Sequence, residues 1–146
     1  MANIIYNIAK QQIFNGTMDL DGDTFRVALL ETSGGQDVTH TTVDEVLAAD
    51  DILAGDASRQ GLTTPAVRVN EGESRAEWYD SGANYVEWSD VDQVESEQCV
   101  AYLVYKFDTD DATSVPVLMV DSFAAITPNG SDIRLTCHAD GIMHSG

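Results

Sequence analysis

Three aspartates stand at alternate positions in the stretch Asn15-Gly-Thr-Met-Asp-Leu-Asp-Gly-Asp-Thr-Phe-Arg-Val-Ala-Leu-Leu-Glu31. Asp19, Asp21 and Asp23 are hard oxygen donors, and their spacing matches positions 1, 3 and 5 of a calcium-binding EF-hand loop. That loop also needs a glycine at position 6 and a bidentate glutamate at position 12, where this chain has Thr24 and Leu30. Turn chemistry competes with the cation reading, because Asn15-Gly16 and Asp21-Gly22 are dipeptides that reach positive φ at little cost. The pattern predicts a turn that launches a strand over Thr24 to Leu30. Asp19, Asp21 and Asp23 remain the candidate cation group, and no cofactor is expected.

Other reactive residues are thinly spread. His40, His138 and His144 lie far apart in sequence, and no serine has a Gly-x-Ser-x-Gly setting. Cys137, His138 and His144 could supply three metal ligands, but without a second clustered pair such as Cys-x-x-Cys a core cysteine beside surface imidazoles is the better reading. Cys99 and Cys137 each fall on the apolar face of a predicted strand, which allows either a disulfide or two buried thiols. Acidic groups such as Asp50/Asp51 and Asp108/Asp110/Asp111 could be read as glycosidase carboxylates. They sit in turn-like stretches, where Asp is favoured by its side-chain bonds to the backbone. No catalytic residue is assigned, and a non-enzymatic protein is expected. Trp78, Tyr79 and Trp88, with Tyr85 nearby, could form a surface aromatic patch that stacks on sugars, but alternation within strands makes core or subunit interface the better reading.

The elements that would position these residues are mostly strands. Asn3 to Phe14 places Ile4, Ile5, Ile8 and Ile13 near helical spacing, with Asn15-Gly16 as a stop. Thr42 to Ala54 fits a second short helix through Val43, Val46, Leu47 and Ile52. Strands are predicted at Thr63 to Asn70, Arg75 to Tyr79, Tyr85 to Ser89, Gln98 to Phe107, Val115 to Asp121 and Ile133 to His138. Pro65 puts the first of these near an edge or a strand start. The Gln98 to Phe107 segment is apolar on both faces, as in a central strand covered on both sides. With no linker or repeat, residues 1–146 read as one domain. The fold class is mainly β, an antiparallel β-sandwich (jelly-roll or Ig-like) with a short N-terminal helix.

Composition narrows the function. The net charge is −18, with 17 Asp and 8 Glu against 5 Arg and 2 Lys. Such a surface repels phosphate backbones, so no nucleic-acid partner is expected. There is no apolar run long enough for a membrane span and no secretory signal pattern at the N-terminus, so no membrane partner is expected either. Self-repulsion opposes compaction in dilute buffer, but at molar salt the Debye length falls to about 3 Å. The composition therefore reads as that of a halophilic protein.

The opening MANIIYNIAKQQIFNGTMDLDGDTFRVALLETS resembles the start of a family of small tailed-virus virion proteins. Its members begin with a short helix, then an Asn-Gly-Thr and aspartate-rich turn, then a strand ending Val-Ala-Leu-Leu. The likeness continues in Val86-Glu-Trp-Ser89, Tyr102-Leu-Val-Tyr-Lys106, Pro116-Val-Leu-Met-Val-Asp121 and Thr127 to Ile142. The middle, Asp37 to Gly61, departs from the family pattern. The resemblance implies a virion structural protein assembled in the host cytoplasm, and the composition adds a halophilic, archaeal host. The leading expectation is a capsid decoration, cement or vertex turret protein that stabilises the head of a tailed virus. It would form a homo-oligomer, a trimer or pentamer, and its partner would be the major capsid protein or a neighbouring virion protein. The expected interface is Ile4, Ile5, Tyr6, Ile8, Ile13 and Phe14, in an N-terminal segment able to detach. The alternatives are a tail or tail-tip protein, or a receptor- or carbohydrate-binding module that uses the aromatic patch.

Overall fold

The Phe25–Leu30 run is apolar at nearly every position because both of its faces are covered. This strand lies in the sheet around which a computed structural model of the chain is built. The structure describes residues 3–32, 37–48, 52–53, 59–82, 85–92, 97–136 and 142–144. Among them the elements are β1 (Ile4–Ile5), α1 (Asn7–Phe14), β2 (Phe25–Leu30), α2 (Val43–Leu47), β3 (Gln60–Gly61), β4 (Pro65–Asn70), β5 (Arg75–Asp80), β6 (Tyr85–Trp88), β7 (Ala101–Lys106), β8 (Val115–Val120), β9 (Ile133–Thr136) and β10 (Met143–His144). A five-stranded sheet has the order β1-β8-β7-β2-β3, a three-stranded sheet β10-β5-β4, and a two-stranded sheet β6-β9. Every pairing between these strands is antiparallel.

The protein is thus mainly β with a short helix near its start, and the sheets pack in a sandwich-like arrangement. One face of the five-stranded sheet contributes Phe25, Val27, Leu29, Val104 and Leu118 to a core shared with Trp78 of β5 and with Val86, Trp88 and Ile133 of the β6–β9 pair. The opposite face contributes Ala28, Leu30, Leu103, Tyr105 and Met119 to a second core, closed by Val43 and Val46 of α2 and by Tyr6. As predicted, β7 is the central strand with both faces covered. A register shift beside Val104 and Tyr105 leaves Val117 as an extra residue, so that Val117 and Leu118 both join the first core.

Two sequence expectations need correction. The N-terminal helix begins at Asn7, because Ile4 and Ile5 instead pair with Met119 and Leu118 at the edge of the large sheet. Two β-branched residues gain more there than in a first helical turn. Tyr6 is extended, donates its N–H to the Val117 carbonyl at 3.0 Å, and is wholly buried. The segment is therefore integral to the sheet and is not a detachable anchor. The second helix spans only Val43–Leu47; Ile52 forms an antiparallel bridge with Leu30, and Leu53 N–H donates to the Leu29 carbonyl. Helical spacing and sheet edge both accommodate Ile52, and the apolar sheet face takes it.

Helix stops and starts follow local chemistry. Asn15 caps α1 and Gly16 follows with φ of 76°, a left-handed conformation that favours glycine. Thr42 and Glu45 form a reciprocal capping box at the start of α2.

Burial separates the apolar residues that hold the fold from those that do not. Trp78 is 2% exposed and Phe14 is 89% exposed. Trp78→Ala is expected to cost about 3–5 kcal/mol of stability. Phe14→Ala should stay within about 0.5 kcal/mol of wild type. Denaturant titration at fixed salt checks both, and similar losses for the two variants would contradict this core assignment.

Candidate functional site

The Asp19 to Asp23 turn joins α1 to β2 and uses its carboxylates locally. Asp19 Oδ1 accepts from the Asp21 N–H at 3.0 Å, and Asp23 Oδ2 accepts from the Asp19 N–H at 2.8 Å. Lys106 Nζ lies 3.0 Å from Asp23 Oδ2. Asp21 Oδ1 reaches across to accept the Val67 N–H of edge strand β4 at 2.6 Å. A Cβ at Gly22 would come within 2.6 Å of Asp19 Oδ2, a contact that a shift of this exposed carboxylate relieves. The three carboxylates point to different partners and do not form a cation cage. Among the described residues no group of three or more His, Cys, Asp or Glu side chains is arranged to hold a metal. The opening pattern is a turn that closes part of a sheet edge.

The surface aromatic patch is also corrected. Trp78 and Trp88 are each 2% exposed and belong to the first core. Trp78 packs edge-on against Phe25, with ring centroids 4.8 Å apart, and donates Nε1–H to the Leu20 carbonyl at 2.9 Å. Tyr79 is half-buried and lies beneath the Arg68 guanidinium. Trp78 and Trp88 point inward because the sheets need large side chains to fill the gap between them, whereas Tyr79 shares the hairpin's outer face with Arg68. No sugar-stacking platform is formed by the three.

Of the proposed interface residues, Ile4 and Ile8 pack on the second core, Ile5 and Ile13 pack on the first, and Tyr6 lies inside the second. Only Phe14 projects into solvent. It stands at one end of an apolar groove of about 500 Å³ between α1, the aspartate turn and the β4–β5 hairpin. Ile13, Met18, Leu20, Val67 and Trp78 line its wall, and the exposed Lys10, Asp19 and Asp21 complete it. Val67 and Val69 on β4 are 45% and 73% exposed. Sequence pattern alone could not separate Phe14 from Ile13, because both fall near the apolar side of a short helix.

The outer face of the hairpin carries a network that the sequence reading missed. Glu77 is 1% exposed, and its carboxylate accepts from Asn70 Nδ2 at 2.9 Å, Arg68 Nε at 2.6 Å and Arg75 Nε at 3.1 Å. The hairpin register sets Arg68 opposite Glu77 and Asn70 opposite Arg75. Donation first from Asn70, then from Arg68 and Arg75, holds the Glu77 carboxyl at about 2, well below its ordinary 4.5.

Three further arginines are also engaged. Arg59 forks onto Asp111 and lies beside Tyr105, whose hydroxyl accepts from it. Arg134 pairs with Glu87 and covers Tyr85, and Arg26 stacks 3.5 Å from the Phe107 ring centroid. His40 sits in the loop before α2, and the His144 backbone pairs with Glu77 in β10. His138 and Cys137 lie outside the described residues, so the proposed Cys137/His138/His144 site and the Cys99–Cys137 pairing do too. Cys99 is fully buried.

The depressed Glu77 carboxyl stabilises the fold where its unfolded counterpart is ionised, above pH 4.5, and loses that effect as pH falls toward 2. Glu77→Gln should therefore melt below wild type at pH 6, with the gap closing between pH 4.5 and 2; a gap independent of pH would contradict the assigned role. Calcium up to about 1 mM, the weak end of natural calcium modules, should leave the wild-type melting point where a chelator leaves it, and a clear rise would restore the cation reading of the turn. No protein-family model matches the chain, and no curated protein or solved structure is significantly similar to it.

Proposed function

We propose that this chain is a non-enzymatic virion structural protein, a capsid decoration, cement or vertex turret subunit on the head of a tailed virus with a halophilic host. The observation that carries the docking role is the exposed apolar strip of Phe14, Val67 and Val69 beside a groove, on a chain of net charge −18. An apolar concavity on so charged a surface is the feature expected of a partner site. The virion assignment is supported by the sequence resemblance, which covers both ends and the C-terminal half. The groove's lining is chiefly aliphatic and aromatic.

Compared with the sequence expectation, the contact surface moves from the whole N-terminal segment to its last residues and the adjoining β4 edge. The partner is the major capsid protein or a neighbouring virion protein, and copies of the chain form a trimer or pentamer that follows the local symmetry of the head. The carbohydrate-binding alternative loses its platform with the burial of Trp78 and Trp88.

Cryo-electron microscopy and protein quantification of washed particles test this reading. Density for a β-domain of this size, in symmetric rings over the capsid lattice or vertices, is the expected result. Density confined to the tail would replace head decoration with the tail alternative. Absence of the chain from particles would remove the virion role altogether.

A further inference from the structure

The groove at the end of α1 has the properties of a site for one kind of partner. Its wall is apolar, but the charges around it are mainly negative. Asp19 and Asp21 stand at one side, and the hairpin turn beyond Val69 carries exposed Glu71 and Glu73. Lys10 is the basic side chain at the groove.

The edge of β4 limits how a partner can bind. Pro65 has no N–H, and the Val67 N–H is taken by Asp21. The first half of this edge is therefore closed to an added strand, so recognition falls to side chains entering the groove. The volume of about 500 Å³ lies within the range of pockets that engulf apolar groups.

Charge complementarity decides between a second copy and a different protein. Six of the chain's seven basic side chains, Arg26, Arg59, Arg68, Arg75, Lys106 and Arg134, are already set against carboxylates or aromatic rings. A second copy offers this acidic rim chiefly arginines already set against carboxylates or rings, besides Lys10, and brings another −18 charge. We propose that the groove receives one or two apolar side chains from a basic amphipathic segment of a partner protein, with its Lys or Arg residues facing Asp19 and Asp21. This names the partner chemistry for the docking face and rests on the reading of the chain as a docking subunit. The apolar contact holds the segment, and the rim selects its charge and orientation. At molar salt the long-range attraction is screened and the apolar contact remains.

The test uses the intact protein and two synthetic amphipathic helices that share a leucine face, one with lysines on its polar face and one with glutamates. Calorimetric titration is run at low and at molar salt. The lysine peptide is expected to bind saturably. Phe14→Asp and Val69→Asp should each weaken it at least about tenfold, the scale of a lost interface anchor. Both positions are largely exposed, so the variants should fold, and circular dichroism verifies this. Ala112→Asp, which adds the same charge in an exposed turn outside the groove lining, should leave binding unchanged.

Absence of saturable binding by wild type would overturn the proposal. So would equal weakening by Ala112→Asp, which would reduce the effect to general charge attraction. Equal affinity for the glutamate peptide would refute the selective rim, and a wild-type dimer dispersed by Phe14→Asp would give the groove to a second copy. Peptide binding by a chain that is missing from particles would leave the groove assignment standing while the virion role fails.

Discussion

Seven basic groups share this chain with 25 carboxylates, and the placement of those seven organises much of the structure. The arginines serve mainly as internal ties. Arg68 of β4 reaches Glu77 of β5, which Arg75 of the same strand also holds, and Arg134 joins β9 to β6 through Glu87. Arg59, beside β3, reaches Asp111 in the turn before β8. Four of the five arginines also lie over aromatic rings, a geometry that suits a planar guanidinium better than a lysine ammonium. With the positive charge held in these pairs, the outer surface is strongly acidic. Such a surface opposes its own compaction in dilute buffer, and screening ions relieve that repulsion.

Within that shell the large sheet needs cover on both faces. The β10-β5-β4 and β6-β9 sheets supply it on one side, and α2 with Tyr6 supplies it on the other. At the corner where α1 meets the aspartate turn and β4 the cover is incomplete, and Phe14, Val67 and Val69 remain exposed. The same turn supplies Asp21 to the β4 edge. The residues that first looked like a cation loop thus shape the groove and restrict what can pair beside it.

Much of the strand pattern was legible because β-branched runs bounded by Gly, Asp and Asn leave few alternatives. The double burial of β7 followed from apolar residues on both of its faces, and the stop of α1 followed from Asn15-Gly16. Ile4, Ile5 and Ile52 misled because their spacing suits a helix, while an open sheet edge offered them a better place. The capping box of Thr42 and Glu45 sets the start of α2, which the reading by apolar spacing did not use. Alternation favoured a core or interface place for Trp78 and Trp88, which are buried, but it gave two faces without saying which one is covered. Glu77 needed the hairpin register, and the groove needed three distant segments to meet.

The central claim is that excess negative charge governs both the stability of this fold and the chemistry of its partner. Thermal unfolding of the wild-type chain in potassium chloride, from about 0.1 M to several molar, tests it most directly, because the Debye length falls from about 10 Å to 3 Å by 1 M. The account predicts a melting temperature that rises steeply over this range, with the larger part of the rise below about 1 M, where screening changes most. A melting temperature that stays flat across the range would contradict it, and the acidic surface would then owe nothing to a saline medium.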